Sequence, residues 1–160
     1  MNDRYSNVLQ GQTDYEYSNG RLSKIQEYNF PPGSTTLAKS DHKILEYATS
    51  TDKNPVRIKY FSSATSPTPY YTYEYTFSDE KSELAAVPKG FLKYLKLDGM
   101  SYENTVAKLT ITHSVGTQTN NYTYEFNANG FPTQKISTNS GKPITYTYNC
   151  NWRKKVSWKF

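Results

Sequence analysis

The sequence predicts an all-β fold: one antiparallel meander of about nine strands, curled or closed into a barrel-like shape, with one short helical crossover. Three observations carry this. First, two stretches read almost as copies of each other, Tyr15 to Ile25 and Tyr122 to Ile136. In each, an alternating aromatic strand runs into Asn-Gly, the pair that best tolerates positive φ in a tight turn, and a return strand closes on Lys-Ile. Second, segments of period two recur between turn signals along most of the chain. Third, Tyr supplies 16 of 160 residues while there are only two Met, one Cys and two Trp. Buried faces built from hydroxyl-bearing rings suit a pleated sheet better than a helix bundle.

Taken in order, the strands fall at 13–18, 21–29, 42–49, 55–62, 70–78, 105–115, 120–127, 131–138 and 143–152. In the fifth, Tyr71, Tyr73, Tyr75 and Phe77 share one face and Tyr70, Thr72, Glu74 and Thr76 the other. The sixth sets Leu109, Ile111, His113 and Val115 against Lys108, Thr110 and Thr112. The ninth sets Ile144, Tyr146, Tyr148, Cys150 and Trp152 against Thr145, Thr147 and Asn149. Connections such as Asn139-Ser140-Gly141-Lys142 are short, so sequential strands pair antiparallel. The one interruption runs over 84–99, where Pro88 suits a first helical turn, Phe91 and Leu95 lie four apart and Asp98-Gly99 can stop the turn. Residues 1–160 are expected to form a single domain.

Mean hydropathy is low at -0.84, yet the alternation and the tyrosines argue against disorder. No run approaches the roughly 20 apolar residues of a membrane helix, and Met1-Asn2-Asp3-Arg4 lacks the apolar stretch of a signal peptide. An exported protein would have lost its leader from this chain. A membrane β-barrel is disfavoured, because its lipid face would expose tyrosine hydroxyls at mid-membrane and several strands are short. The lone Cys150 excludes an internal disulfide.

The pattern Tyr-x-Tyr, polar residues, Asn-Gly, an apolar residue and Lys-Ile resembles the YD-type repeat of bacterial surface proteins. More closely, the chain resembles the β-meander domains of unknown function in Bacteroides-type secreted lipoproteins. The likeness is best over 104–149, through Lys108-Leu109-Thr110-Ile111-Thr112, Tyr122 to Phe126, Asn129 to Ile136 and Tyr146-Thr147-Tyr148. Val87-Pro88-Lys89-Gly90-Phe91 is similar to the crossover that often precedes it. This chain departs from the pattern in having no lipid-attachment Cys near its start. The resemblance implies export, to periplasm or cell surface, and a sheet-based fold, and it brings no catalytic residues with it.

Signatures of catalysis are sparse. The chain has no Gly-rich phosphate loop, no His-Glu-x-x-His, no Gly-x-Ser-x-Gly and no Cys pair at metal spacing. No metal or other cofactor is expected. His113 falls on an apolar strand face and reads as a hydrogen-bonded or rim histidine; His42 beside Asp41 reads as a surface pair. Cys150 between Tyr148 and Trp152 reads as a small core residue. Asp79, Glu80 and Glu83 are the densest acidic cluster, which could serve glycoside hydrolysis but reads more simply as a solvated turn.

Two features remain for binding. Exposed rings beside Asn, Thr and Lys are surfaces on which sugars and peptides dock, and Tyr70, Tyr71, Tyr122, Tyr124, Trp152 and Trp158 offer ring faces; the competing reading is that alternating Tyr only builds the sheet. Net charge is +5 and concentrated late: no acidic residue follows Glu125, and Trp152-Arg153-Lys154-Lys155-Val156-Ser157-Trp158 interleaves cations with rings. Such a run also serves as an edge guard. Tyr70, Trp152, Arg153, Lys154, Lys155 and Trp158 are therefore the candidate ligand-binding residues. The expected role is a non-catalytic, exported surface or scaffold module contacting a glycan or another protein, with no nucleic acid indicated. A glycan-processing hydrolase with a carboxylate site, and a polyanion binder using the basic C-terminus, are the alternatives.

Overall fold

The computed structural model describes residues 11–86 and 103–148. Nine strands follow in chain order: β1 Gly11–Ser18, β2 Arg21–Asn29, β3 Ala38–Glu46, β4 Arg57–Phe61, β5 Tyr71–Lys81, β6 Asn104–His113, β7 Gly116–Phe126, β8 Pro132–Ser137 and β9 Pro143–Thr145. Each overlaps a stretch whose alternation predicts it, though β3 and β7 each begin four residues earlier than expected. They form one antiparallel sheet in the order β1-β2-β3-β4-β5-β6-β7-β8-β9, so every strand pairs with its sequence neighbour. Among the described residues β9 does not pair with β1. The expected crossover opens with a single 3-10 turn, Glu83–Ala86; the rest of 84–99 lies outside the described residues.

The chain forms two compact units, residues 1–76 with 108–120 and residues 77–107 with 121–160. In the first, directly opposed residues on neighbouring antiparallel strands project to the same side. Ile25 opposes Lys43, Leu45 opposes Ile58, and Ile58 opposes Tyr73, so one face collects Tyr15, Ile25, Leu45, Ile58, Tyr60, Tyr71 and Tyr73. Leu22, Ile25, Leu45 and Ile58 are buried on this face, and Phe61 is buried on the opposite one, across from His42. The other face carries charge. Lys24 pairs with Glu16 at 2.8 Å, Arg57 with Glu46 at 3.1 Å and with Glu74 at 2.6 Å, and Lys59 with Glu46. These pairs are half-exposed, so each contributes modestly, yet the row as a whole fixes which way the strands face.

Among the described residues of the second unit, the buried ones are two hydroxyl-bearing residues and a proline: Ser82, Thr105 and Pro132. The Ser78 and Thr105 hydroxyls hydrogen-bond across β5 and β6. A buried hydroxyl with a partner avoids the desolvation penalty that an orphaned one would carry.

The near-duplicate hairpins share a device that the sequence does not display. In the first, Glu16 opposes Lys24 and Tyr17 opposes Leu22, leaving Ser23 as a bulge. In the second, Glu125 opposes Gln134 and Phe126 opposes Pro132, leaving Thr133 as a bulge. Each bulged hydroxyl donates back across the hairpin, Ser23 to the Glu16 carbonyl at 3.1 Å and Thr133 to the Glu125 carbonyl at 3.2 Å. The turns differ. Asn19 and Gly20 both take positive φ, at 51° and 75°, as a two-residue primed turn requires. In the second hairpin only Gly130 does, at 75°. There the Asn127 side-chain oxygen accepts from the Asn129 and Phe131 amides at 2.9 and 3.1 Å, an Asx turn that closes a longer loop.

Candidate functional site

Tyr70 precedes β5, its amide donating to the Tyr60 carbonyl at 2.7 Å, and its ring is 54% exposed. It stands edge-on to Tyr71, with centroids 4.4 Å apart. Tyr71 in turn meets His113 at 5.5 Å and Tyr73 at 6.1 Å, and Tyr73 meets Tyr60 at 4.9 Å. The Lys43 ammonium lies 5.3 Å from the Tyr60 centroid. The Tyr71 hydroxyl donates to the Tyr70 hydroxyl, which holds the Tyr71 phenol above its ordinary pKa. These contacts brace the exposed Tyr70 ring from below. His113 is half-buried against Tyr71, a rim position consistent with its strand face.

His42 departs from its surface expectation. It is only 9% exposed and stacks flat on Phe61, with centroids 4.3 Å apart and planes 3° from parallel. The reason is register: β3 begins at Ala38, so His42 lies inside the strand directly opposite Phe61. Its Nδ1 is buried without a hydrogen-bond partner.

In the second unit a lysine and several tyrosines converge. Lys135 on β8 opposes Tyr124 on β7, and its ammonium lies 4.1 Å from the Tyr122 centroid and 5.9 Å from that of Tyr124. Burial pulls the Lys135 amine below its ordinary pKa, against the attraction of Glu83. The Tyr124 hydroxyl donates to the Val106 carbonyl at 2.9 Å, and burial, with Glu83 next, pushes its pKa upward. Tyr146 is pushed up to about 12, first by burial and then by Glu83, to which its side chain hydrogen-bonds. Tyr122 and Tyr124, read from sequence as free ring faces, are thus engaged with Lys135.

These tyrosines give a pH prediction. A phenol whose folded pKa lies above its unfolded value of about 10 contributes stability that is complete below pH 10 and lost as pH rises through the folded pKa. Lys135, with its amine depressed, acts in the opposite sense below its ordinary value near 10.5. Stability should therefore fall more steeply between pH 10 and 12 in the parent protein than in a Tyr146→Phe variant. Urea midpoints measured across that range check it, and parallel curves would remove Tyr146 as a contributor.

The remaining candidates separate. Asp79 and Glu80 are exposed at the end of β5, and as consecutive strand residues they point to opposite faces, so they do not form a catalytic pair. Glu83 sits apart in the 3-10 turn. Trp152, Arg153, Lys154, Lys155, Trp158 and Cys150 lie outside the described residues. Two exposed rings had no sequence signal as binding residues: Tyr15 and Tyr17, 50% and 68% exposed on β1, a strand with one paired neighbour among the described residues. Among the described residues no group of three His, Cys, Asp or Glu could hold a metal ion, and no helix is long and apolar enough to cross a membrane.

No protein-family model matches the chain, and no curated protein is significantly similar to it. Among solved structures it is similar to a porin-like protein from Bacteroides uniformis ATCC 8492, at 15% identity and a TM-score of 0.47. The likeness covers 85% of this chain and 56% of that one, so this chain spans little more than half of that protein's length.

Proposed function

We propose that the protein is a non-catalytic, exported surface or scaffold module that contacts a glycan through the ring cluster headed by Tyr70. The observation that supports this is a half-exposed tyrosine held edge-on by a second ring, which rests on a third. A ring fixed in place before binding loses little conformational freedom on contact, and its face offers the apolar surface against which the C–H side of a sugar packs. The supporting hydroxyls and the nearby Lys43 supply polar groups for the rim. The opposed orientation of Asp79 and Glu80 speaks against a hydrolase built on that cluster.

The test is affinity electrophoresis against a panel of soluble neutral and acidic polysaccharides. Tyr70→Ala should weaken retention by about tenfold, the loss of one well-placed anchor, while leaving the melting temperature within a few degrees of the parent. Retention by no polysaccharide, or equal retention of parent and variant, would sink the reading.

A further inference from the structure

The shared bulge fixes how the two hairpins correspond, and it places the match one residue away from the one that the two Lys-Ile endings suggest. Written as sequence, Lys135-Ile136 aligns with Lys24-Ile25. Counted from the bulge, the residue opposite Tyr15 is Ile25, which is 2% exposed, and the residue opposite Tyr124 is Lys135. A lysine therefore occupies the position at which the other copy places a buried isoleucine. Nothing structural requires a cation there: the copy with Ile25 forms the same bulge and the same hydroxyl hydrogen bond.

Among the described residues the ammonium has no oxygen as a hydrogen-bond partner. Its described contacts are two ring faces, which accept its charge but saturate none of its three N–H donors as an oxygen would. Glu83 acts on it at long range and is itself hydrogen-bonded by Tyr146. Beside it, the Tyr122 hydroxyl has no partner among the described residues, its phenol being perturbed by burial alone. Lys135 and Tyr122 thus offer a cation and a hydroxyl donor that no oxygen of the described residues receives, both half-buried and so within reach of a ligand. A cation set where the related hairpin places a buried isoleucine departs from the local pattern, as functional sites do.

We propose that Lys135, with Tyr122, binds the carboxylate of an acidic sugar. The anion supplies the acceptors the ammonium lacks, and the aromatic surroundings suit a sugar ring. The choice of a sugar over an acidic peptide rests on the glycan reading above; the anion site itself does not.

Isothermal titration with tri-galacturonate, maltotriose and triglutamate tests it on parent, Lys135→Met and Lys24→Met proteins. The parent should bind tri-galacturonate in preference to maltotriose. Lys135→Met should weaken that binding at least tenfold without lowering the melting temperature, since the equivalent position holds Ile25. Lys24→Met, which removes the lysine that pairs with Glu16 in the other hairpin, should leave it unchanged. In the parent, tri-galacturonate should also protect Lys135 from reductive methylation, read by mass spectrometry, so the result does not depend on the variant folding. Absence of tri-galacturonate binding, equal binding by Lys135→Met, or no protection of Lys135 would overturn the proposal. Lysine-dependent binding of triglutamate alone would overturn the sugar assignment.

Discussion

Ile58→Ala is expected to lower stability by about 4 kcal/mol, toward the upper part of the range for large-to-small changes at a fully buried aliphatic residue. Ile58 has no exposed surface and sits on β4 directly between Leu45 and Tyr73. Its neighbours are held by backbone ladders on both sides, so the void left by three lost carbons cannot collapse easily. Urea denaturation should show a lower midpoint at an unchanged slope. Ile144→Ala is the control: at 55% exposed, it should change stability by no more than about 0.5 kcal/mol. Similar losses at the two positions would mean that Ile58 is not the centre of the first unit's core.

The second large effect is expected at Phe61. Phe61→Ala should cost about 3 kcal/mol, because it removes a buried ring and with it the parallel surface on which His42 rests. The figure stays near the lower end of the range for phenylalanine because water reaching the gap can hydrate His42 Nδ1, now buried without a partner. Phe61→Leu should recover part of the loss by refilling volume without the stack. The imidazole proton resonances of His42 should shift in both variants as the ring current disappears. An alanine variant with stability within about 1 kcal/mol of the parent would rule out the packed pair.

Much of the architecture was legible because a sheet repeats its logic every two residues. Tyr71 and Tyr73 against Thr72 and Glu74 predicted a strand with an aromatic side and a polar side, and the structure pairs the polar side with Lys59 and Arg57. Asn19-Gly20 predicted a turn at positive φ, and both residues adopt it. Strand ends were less legible. The ninth stretch alternates over ten residues, but its ladder is hydrogen-bonded only over Pro143–Thr145 within the described part. His42 was placed at the surface because a charged neighbour says little about which strand will lie alongside. Tyr70 was singled out by composition alone; Tyr71 is its chain neighbour, but the His113 ring that supports Tyr71 comes from a strand far away in sequence.

Lys135 marks the boundary most clearly. The sequence by itself determined an antiparallel, tyrosine-built sheet with two related hairpins, since alternation and turn chemistry are local properties of the backbone and its side chains. Only the tertiary structure decided that Ser23 and Thr133 bulge. A bulge inserts one residue into one strand and leaves no reliable trace in composition. Counted from that bulge, Lys135 is the counterpart of buried Ile25, not of Lys24 as the shared Lys-Ile ending suggests, and a cation lies among tyrosine rings.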